Sequence, residues 1–487
     1  MKIQFVLAPP RDLPRLGELY EHISPPLGIL YLAAYLRAHI PGLELRVIDG
    51  PRKGFPYTLK EIMAFNPDVL CVSYYVSSTL GAYDMINTLK QSRPELLCVV
   101  GGHQVTALPG EALRRSMTDI EVYSEGELTL TEIIETYKQV GDINQCDLSR
   151  IQGIGYLDRG QFKTTPLRPF IRDLDAIPFP ARDLVDMKDY RGWYITRQNP
   201  QARVIFTRGC PYRCTFCSNK VWNRPGSGVR ARSAKNIADE LEVLRRDYGI
   251  REFFDDSDEF NHNIPRAIEL CNEIKNRNLG MTWKCQLRSN NLPEELVRAM
   301  AGSGCWFVHL GIESANQRTL AGIKKGNSVE QGLAACDLLK QYGIKTLALF
   351  MLFNVWEENG QLCYEGADET KKTIVLARNL LKNKKIHLIS ASPTLPYPGS
   401  ELYEIALRHN LIKDHLKENW DAWLRDETFV MRLPGVSEKE MTGLRLRANL
   451  IIAEAFLKFG HFSIIDVPFF VKRVIKVVGD HLKVQKK

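Results

Sequence analysis

The stretch Arg208-Gly209-Cys210-Pro211-Tyr212-Arg213-Cys214-Thr215-Phe216-Cys217-Ser218-Asn219 sets three thiols within eight residues on a loop broken by glycine and proline. Soft thiolates select zinc, copper(I) or iron–sulfur clusters. Gaps of three and then two residues let the three sulfurs converge on one face of a compact object. Zinc ribbons and fingers join one such half-site to a second Cys or His pair downstream, and no such pair follows Cys217. The loop therefore reads as an iron–sulfur site. A four-iron cubane takes four ligands, so three cysteines leave one iron open.

Around this loop, six strand-like runs recur, each followed by a helical stretch: Val204–Thr207, Glu252–Asp255, Thr282–Leu287, Trp306–Gly311, Lys345–Leu352 and His387–Ser392. Six βα units predict a partial (β/α)6, TIM-like barrel over residues 201–410, with function at the carboxyl ends of the strands. The thiol loop follows the first run. The second leads into Phe254-Asp255-Asp256-Ser257-Asp258-Glu259-Phe260, where a carboxylate is placed to accept from an ammonium group. The third ends at Gln286-Leu287-Arg288, whose guanidinium fork matches a carboxylate. The fourth ends in Gly311-Ile312-Glu313-Ser314-Ala315, with Lys324-Lys325-Gly326 beyond it.

The thiol loop resembles the signature of the radical S-adenosylmethionine (SAM) superfamily, C-x3-C-x-Φ-C, with Phe216 as the aromatic Φ. The resemblance implies that Cys210, Cys214 and Cys217 hold a 4Fe-4S cluster. In that superfamily the open iron is chelated by SAM, and an electron from the cluster yields a 5′-deoxyadenosyl radical. It further implies SAM contacts at Phe216, Asp255 or Asp256, Arg288 and Glu313, the last through a recurring Gly-Ile-Glu-Ser motif. Pro396-Tyr397-Pro398-Gly399-Ser400-Glu401-Leu402-Tyr403 looks like the family's Pro-x-Pro-Gly-Thr-x-Leu-Tyr ending, with Ser400 for Thr. Phe353-Asn354-Val355-Trp356-Glu357-Glu358-Asn359-Gly360 departs from the compact turn usual after the fifth strand and reads as a substrate-specific insertion.

Residues 1–140 alternate short apolar runs, Lys2–Ala8, Leu43–Asp49, Asp68–Tyr75, Leu96–Gly101 and Ile120–Ser124, with helical stretches such as Leu27–His39 and Leu80–Ser92. This predicts an α/β domain with a doubly wound parallel sheet, Rossmann-like, that binds ligands outside the carboxyl ends of its strands. Pro25-Pro26-Leu27-Gly28, Gly101-Gly102-His103 with Thr106, and Glu125-Gly126-Glu127 together resemble the cobalamin-binding domain that precedes the barrel in the cobalamin-dependent, class B radical SAM methyltransferases. The resemblance implies cobalamin held by Gly101, Gly102, His103, Thr106, Glu125 and Gly126. No Asp-x-His-x-x-Gly element occurs, and Asp49-Gly50 is followed by Pro51. The cobalt is thus expected to lack a lower histidine ligand.

Residues 141–200 are expected to be an extended connector, because prolines such as Pro178 and Pro180 block regular helix. Residues 411–487 are expected to be mostly helical. In Phe456–Val484 an apolar face lies beside basic residues, a pattern shared by a helix packed on the barrel and one resting on an anionic membrane.

The 487 residues carry a net charge of +8, which is mild and does not call for nucleic acid. No secretory signal is read at the start, and eleven cysteines, scattered except for the triad, suit a reducing compartment, so a cytoplasmic protein is expected. The family resemblance implies methylation of an unactivated carbon with SAM and methylcobalamin, a small-molecule or lipid substrate, and an external electron donor of the flavodoxin or ferredoxin type. Two alternatives are a non-methylating radical cyclisation or rearrangement, and a cluster-bearing electron carrier or regulator. Methylthiolation of tRNA is disfavoured, since Cys71, Cys98 and Cys146 are too scattered to form a second triad.

Overall fold

The computed structural model describes residues 1–11, 24–190, 195–222, 228–423 and 429–459. The chain divides into two compact units. One comprises Met1–Tyr190 with Lys220–Ser227 and Asp414–Leu424; the other holds Arg191–Asn219, Gly228–Lys413 and Arg425–Lys487.

In the first unit β1 (Lys2–Leu7), β2 (Glu44–Asp49), β3 (Val69–Ser73), β4 (Leu97–Gly101) and β5 (Ile120–Val122) pair in parallel in the order β2-β1-β3-β4-β5. The central strands are buried almost without interruption, as Ile3, Phe5, Val6, Val69 and Leu70 show. Continuous burial marks a sheet covered on both faces and explains why these strands read as apolar runs rather than alternating ones. Helices Leu27–His39 and Glu127–Val140 cover one face, with Ile29, Leu36, Leu130 and Ile133 packed on Ile3, Phe5 and Val99.

The stretch expected to be an extended connector adds two further strands to this sheet. β6 (Ile154–Asp158) pairs antiparallel with β5, and β7 (Gln161–Thr164) with β6. Arg159 and Gly160 take φ of +50° and +79° between them. Two central residues with positive φ make the mirror-image turn that matches strand twist, so a hairpin closes there.

In the second unit, β8 (Gln201–Val204) is followed by a two-residue ladder, β9 (Thr207–Arg208) against β10 (Arg230–Ala231). Then come β11 (Glu252–Asp255), β12 (Thr282–Arg288), β13 (Cys305–Glu313) and β14 (Lys345–Leu352). A hairpin, β15 (Val355–Glu358) with β16 (Gln361–Tyr364), precedes β17 (Leu388–Pro393). The six long strands are parallel in the order β8-β11-β12-β13-β14-β17, and the sheet is open between β8 and β17 among the described residues. Helices Ala234–Asp247, Ile264–Arg277, Glu294–Gly302, Val329–Gln341 and Ala367–Lys382 form the crossovers. Each buries one apolar stripe, as Ile237, Leu241 and Leu244 do in the first. A fully buried Leu or Ile contributes about 1.5–3 kcal/mol, so these faces hold the barrel's outer layer in place.

The insertion after the fifth barrel strand is the β15–β16 hairpin, turned at Asn359 and Gly360 with φ of +50° and +78°. Its Trp356 packs with Leu320 and Ile323, and Phe216 of the thiol loop lies against the same group. The helix Glu438–Phe459 packs on β17 and on the helix Ala367–Lys382. Of the basic apolar tail, only the part up to Phe459 is described, and there Phe459 stacks edge-on to Phe307 of the barrel. The rest of Phe456–Val484 lies outside the described residues.

Candidate functional site

The thiol loop leaves the barrel at the carboxyl end of β8, and the β9–β10 ladder fastens its base. Gly209 takes a φ of +94° and donates its N–H to Asp258 Oδ2 at 2.7 Å. The loop then closes on itself through Cys217 N–H to Cys214 O, 3.1 Å. It is held from outside by Thr215 N–H to Ile323 O, 3.0 Å, and by Leu402 N–H to Thr215 O, 2.8 Å. Cys214 is buried, while Cys210 and Cys217 are partly exposed. Burial pushes the Cys210 thiol up to about 12. A thiolate at that position requires a cationic partner, which irons supply. Among the described residues no three His, Cys, Asp or Glu side chains close to the spacing of a single metal ion; a four-iron cluster spreads its thiolates wider than one ion does.

The acidic run after β11 divides into two parts. Asp255 is buried and accepts from Ser257 N–H at 3.1 Å and from the Ser257 hydroxyl. Ser257 Oγ in turn accepts the N–H groups of Phe206 and Thr207, at 2.7 and 3.0 Å. This relay ties β11 to the chain entering the thiol loop. Burial raises the Asp255 carboxyl to about 7 despite those hydrogen bonds. Asp256 is half-buried and accepts from Arg203 Nη1 at 2.8 Å. The next two acids lie nearer the thiols: Asp258 holds Gly209, and buried Glu259 sits within the fields of Arg288, Lys325 and Cys210. Burial lifts Glu259 to about 7, and the two cations oppose that rise. The sequence reading had placed Asp258 and Glu259 in the run without giving either a role.

Glu313 ends β13 at a β-bulge, with the register shifting between Gly311 and Glu313 and φ at +68°. A left-handed glutamate costs about 1–3 kcal/mol and persists only where its surroundings impose it. Here Glu313 Oε1 accepts from Lys325 Nζ at 2.7 Å, and both residues are buried. A Cβ at Gly311 would lie 2.6 Å from Glu313 Oε1 and 2.7 Å from Lys325 Nζ, so only glycine leaves room for the pair. Lys325 Nζ is also 5.9 Å from the centre of the Phe216 ring. Arg288, at the end of β12, donates to Cys214 Sγ, to Lys325 O and to Asn290 Oδ1. Of the residues expected to meet SAM, Phe216, Arg288 and Glu313 thus converge around Lys325. Sequence reading did not single out Lys325, although its motif was visible.

In the first unit the residues expected to meet cobalamin gather at the carboxyl ends of β4 and β5. Gly102 takes φ +106° and ψ −167°, and a Cβ there would lie 2.9 Å from Ser73 Oγ. Thr106 Oγ1 donates to Gly102 O at 2.9 Å and accepts from Ser124 N–H at 3.0 Å, which joins the two loops. Glu125 Oε2 accepts from Ile171 N–H at 2.9 Å, and Gly126 abuts Leu32 of the helix Leu27–His39. The His103 ring lies 6.2 Å from that of Trp222. Two buried groups in these loops, the whole Gln104 amide and Ser124 Oγ, have no hydrogen-bond partner among the described residues. Buried polar groups are ordinarily paired, so such orphans suit a polar ligand in the crevice. Cobalamin, rimmed by amide side chains, is a ligand of that kind.

A parallel open barrel with three thiols at the end of its first strand defines the radical SAM enzymes. Residues 204–359 match the Radical SAM superfamily, and residues 16–134 match the B12 binding domain. The chain is 29% identical to an uncharacterized methyltransferase of Pyrococcus horikoshii, over 98% of this chain and 97% of that protein. It is 28% identical to the anaerobic magnesium-protoporphyrin IX monomethyl ester cyclase of Rubrivivax gelatinosus, covering 78% of this chain and 66% of the cyclase. Its fold is similar to that of the cobalamin-dependent SAM radical enzyme OxsB, with a TM-score of 0.67 at 18% identity. That match covers 92% of this chain and 65% of OxsB, so the chain spans about two thirds of the length of that relative. The chain belongs to the cobalamin-binding radical SAM enzymes, and its cofactors are a 4Fe-4S cluster, SAM and cobalamin. Enzymes of this class need a reductant and act on small molecules. No helix among the described residues is long and apolar enough to cross a membrane.

Proposed function

We propose that this enzyme methylates an unactivated carbon of a small-molecule substrate. The observation that carries the reading is the presence, on one chain, of a thiol loop at the first barrel strand and a B12 binding domain. The similarity to a methyltransferase along nearly the whole chain supports it. When bound, SAM and the cluster supply a radical that removes a hydrogen atom, and methylcobalamin supplies the methyl group.

Cys210, Cys214 and Cys217 hold the cluster in this reading. Glu313 receives the SAM ammonium, fixed in place by Lys325, and Phe216 packs beside the cofactor. Of the Asp255–Asp256 pair, Asp255 is buried and accepts from Ser257, whereas Asp256 is half-buried and accepts from Arg203; the greater exposure of Asp256 favours it as the SAM contact. Gly101, Gly102, His103, Thr106, Glu125 and Gly126 line the cobalamin crevice. The electron comes from a donor of the flavodoxin or ferredoxin type, and the need to assemble and keep such a cluster favours the reducing cytoplasm. A membrane-resting tail and a lipid substrate belong together, and both rest on residues beyond Phe459.

The resemblance to a cyclase favours a second reading, radical cyclisation or rearrangement without methyl transfer. The reconstituted enzyme, incubated with SAM bearing a deuterated methyl group, separates the two. Label recovered in the cobalamin fraction supports methyl transfer. Release of 5′-deoxyadenosine with no label there supports the second reading.

A further inference from the structure

We infer that Arg288 is a positioning residue for the cluster, donating to the sulfur of Cys214 and raising the cluster's reduction potential. This rests on the reading of Cys210, Cys214 and Cys217 as cluster ligands. Arg288 Nη1 lies 3.4 Å from Cys214 Sγ, and both residues are buried. Its other nitrogens are engaged too: Nη2 donates to Lys325 O, and Nε to Asn290 Oδ1 at 3.1 Å. The guanidinium carbon stands 3.6 Å from the centre of the Tyr212 ring, and Asn290 Nδ2 is 3.4 Å from the Tyr212 hydroxyl. Tyr212 lies between Cys210 and Cys214 in the sequence. One side chain from the third barrel strand therefore grips the thiol loop by its ring and by its middle sulfur.

The geometry gives this guanidinium a different task from the one its motif suggests. A fork that clasps a carboxylate presents two N–H groups side by side. Here the face is covered by Tyr212, and all three nitrogens already serve protein acceptors. Three of its five N–H groups are thereby spent, and the one on Nη1 sets a permanent cation against a ligand sulfur in a dry environment. A reduced cluster carries one more negative charge than the oxidised one. Hydrogen bonds to its sulfurs and a nearby cation stabilise the reduced form, and so set the potential. Lysine would keep the charge but lose the planar stacking and the multiple donors.

The test is an anaerobic redox titration of the full-length reconstituted enzyme without SAM, with the reduced cluster read by electron paramagnetic resonance. Arg288→Met is expected to hold about four irons, as the wild type does, and to have a lower midpoint. A tenfold drop in the reduction equilibrium corresponds to about 59 mV for one electron. Arg288→Lys should recover part of the shift. Should Arg288→Met lose iron, Arg288→Lys and Tyr212→Leu carry the test, each with a smaller downward shift. An unmoved midpoint in the variants that hold iron overturns the inference. If their SAM affinity falls at the same time, Arg288 is returned to the SAM carboxylate. A wild-type enzyme that does not hold about four irons overturns the cluster reading itself, which is a separate result.

Discussion

Lys325 Nζ lies 2.7 Å from Glu313 Oε1 in a setting where both residues are buried, and the backbone oxygen of the same lysine accepts from Arg288. The pair stands between the bulge that ends β13 and the aromatic of the thiol loop. Removing one partner of a buried ion pair leaves an uncompensated charge and costs about 3–5 kcal/mol. Lys325→Met is accordingly expected to lower stability by about that much, with most of it recovered in Glu313→Gln/Lys325→Met. SAM affinity should fall in every Glu313 variant, including the double, while iron content stays intact. Equilibrium dialysis with SAM and iron assays check both. Unchanged affinity in Glu313→Ala would remove Glu313 from the site.

Cys214→Ala removes the buried thiol at the centre of the loop. The variant should lose the cluster's visible absorbance and SAM cleavage together, while circular dichroism stays close to that of the wild type. Retained SAM cleavage would contradict the assignment of the three thiols.

Gly102→Ala tests the cobalamin crevice. The φ of +106° is open essentially to glycine alone, and the added Cβ would press on Ser73. About 1–3 kcal/mol of strain is expected, read as a lower melting temperature, together with loss of cobalt after desalting. Gly102→Ala/Ser73→Ala should relieve the clash but not the backbone strain. Full recovery of stability in the double variant would show that φ is not the constraint.

Asp49, at the end of β2, provides a pH signature for the first unit. It is buried, with Oδ2 3.1 Å from the Tyr190 hydroxyl and no partner for Oδ1 among the described residues. Burial raises its carboxyl to about 6, against the hydrogen bond from Tyr190 and the fields of Arg52 and Lys53. The folded state therefore binds this proton more tightly than the unfolded chain does. Its contribution is full below about pH 4 and is lost as pH rises through about 6. Asp49→Asn should flatten this decline and gain up to about 3 kcal/mol above pH 7. Denaturant midpoints from pH 4.5 to 8 read it, and parallel profiles for the two proteins would contradict it.

Much of this fold was legible because parallel strands covered on both faces are unbroken apolar runs. Lys345–Leu352 was read with the bounds that β14 has, and Thr282–Leu287 falls one residue short of β12. The two hairpins were missed although Arg159-Gly160 and Asn359-Gly360 are turn signals. Their strands are short, and β7 is exposed along its whole length, so no apolar pattern flanks the turn. The thiol loop was visible because its ligands are local in sequence. The partnerships of Lys325 with Glu313 and of Arg288 with Cys214 join residues 12 and 74 positions apart. Only the arrangement of barrel strands brings such residues together, and spacing along the chain carries no trace of it.

The most direct test of the whole account is anaerobic reconstitution of the full chain with iron, sulfide and hydroxocobalamin, followed by desalting and metal analysis. The account predicts about four irons and one cobalt per chain. Cobalt without iron, or neither metal, would contradict it at the thiol loop, and four irons without cobalt would contradict it at the crevice beside Gly102.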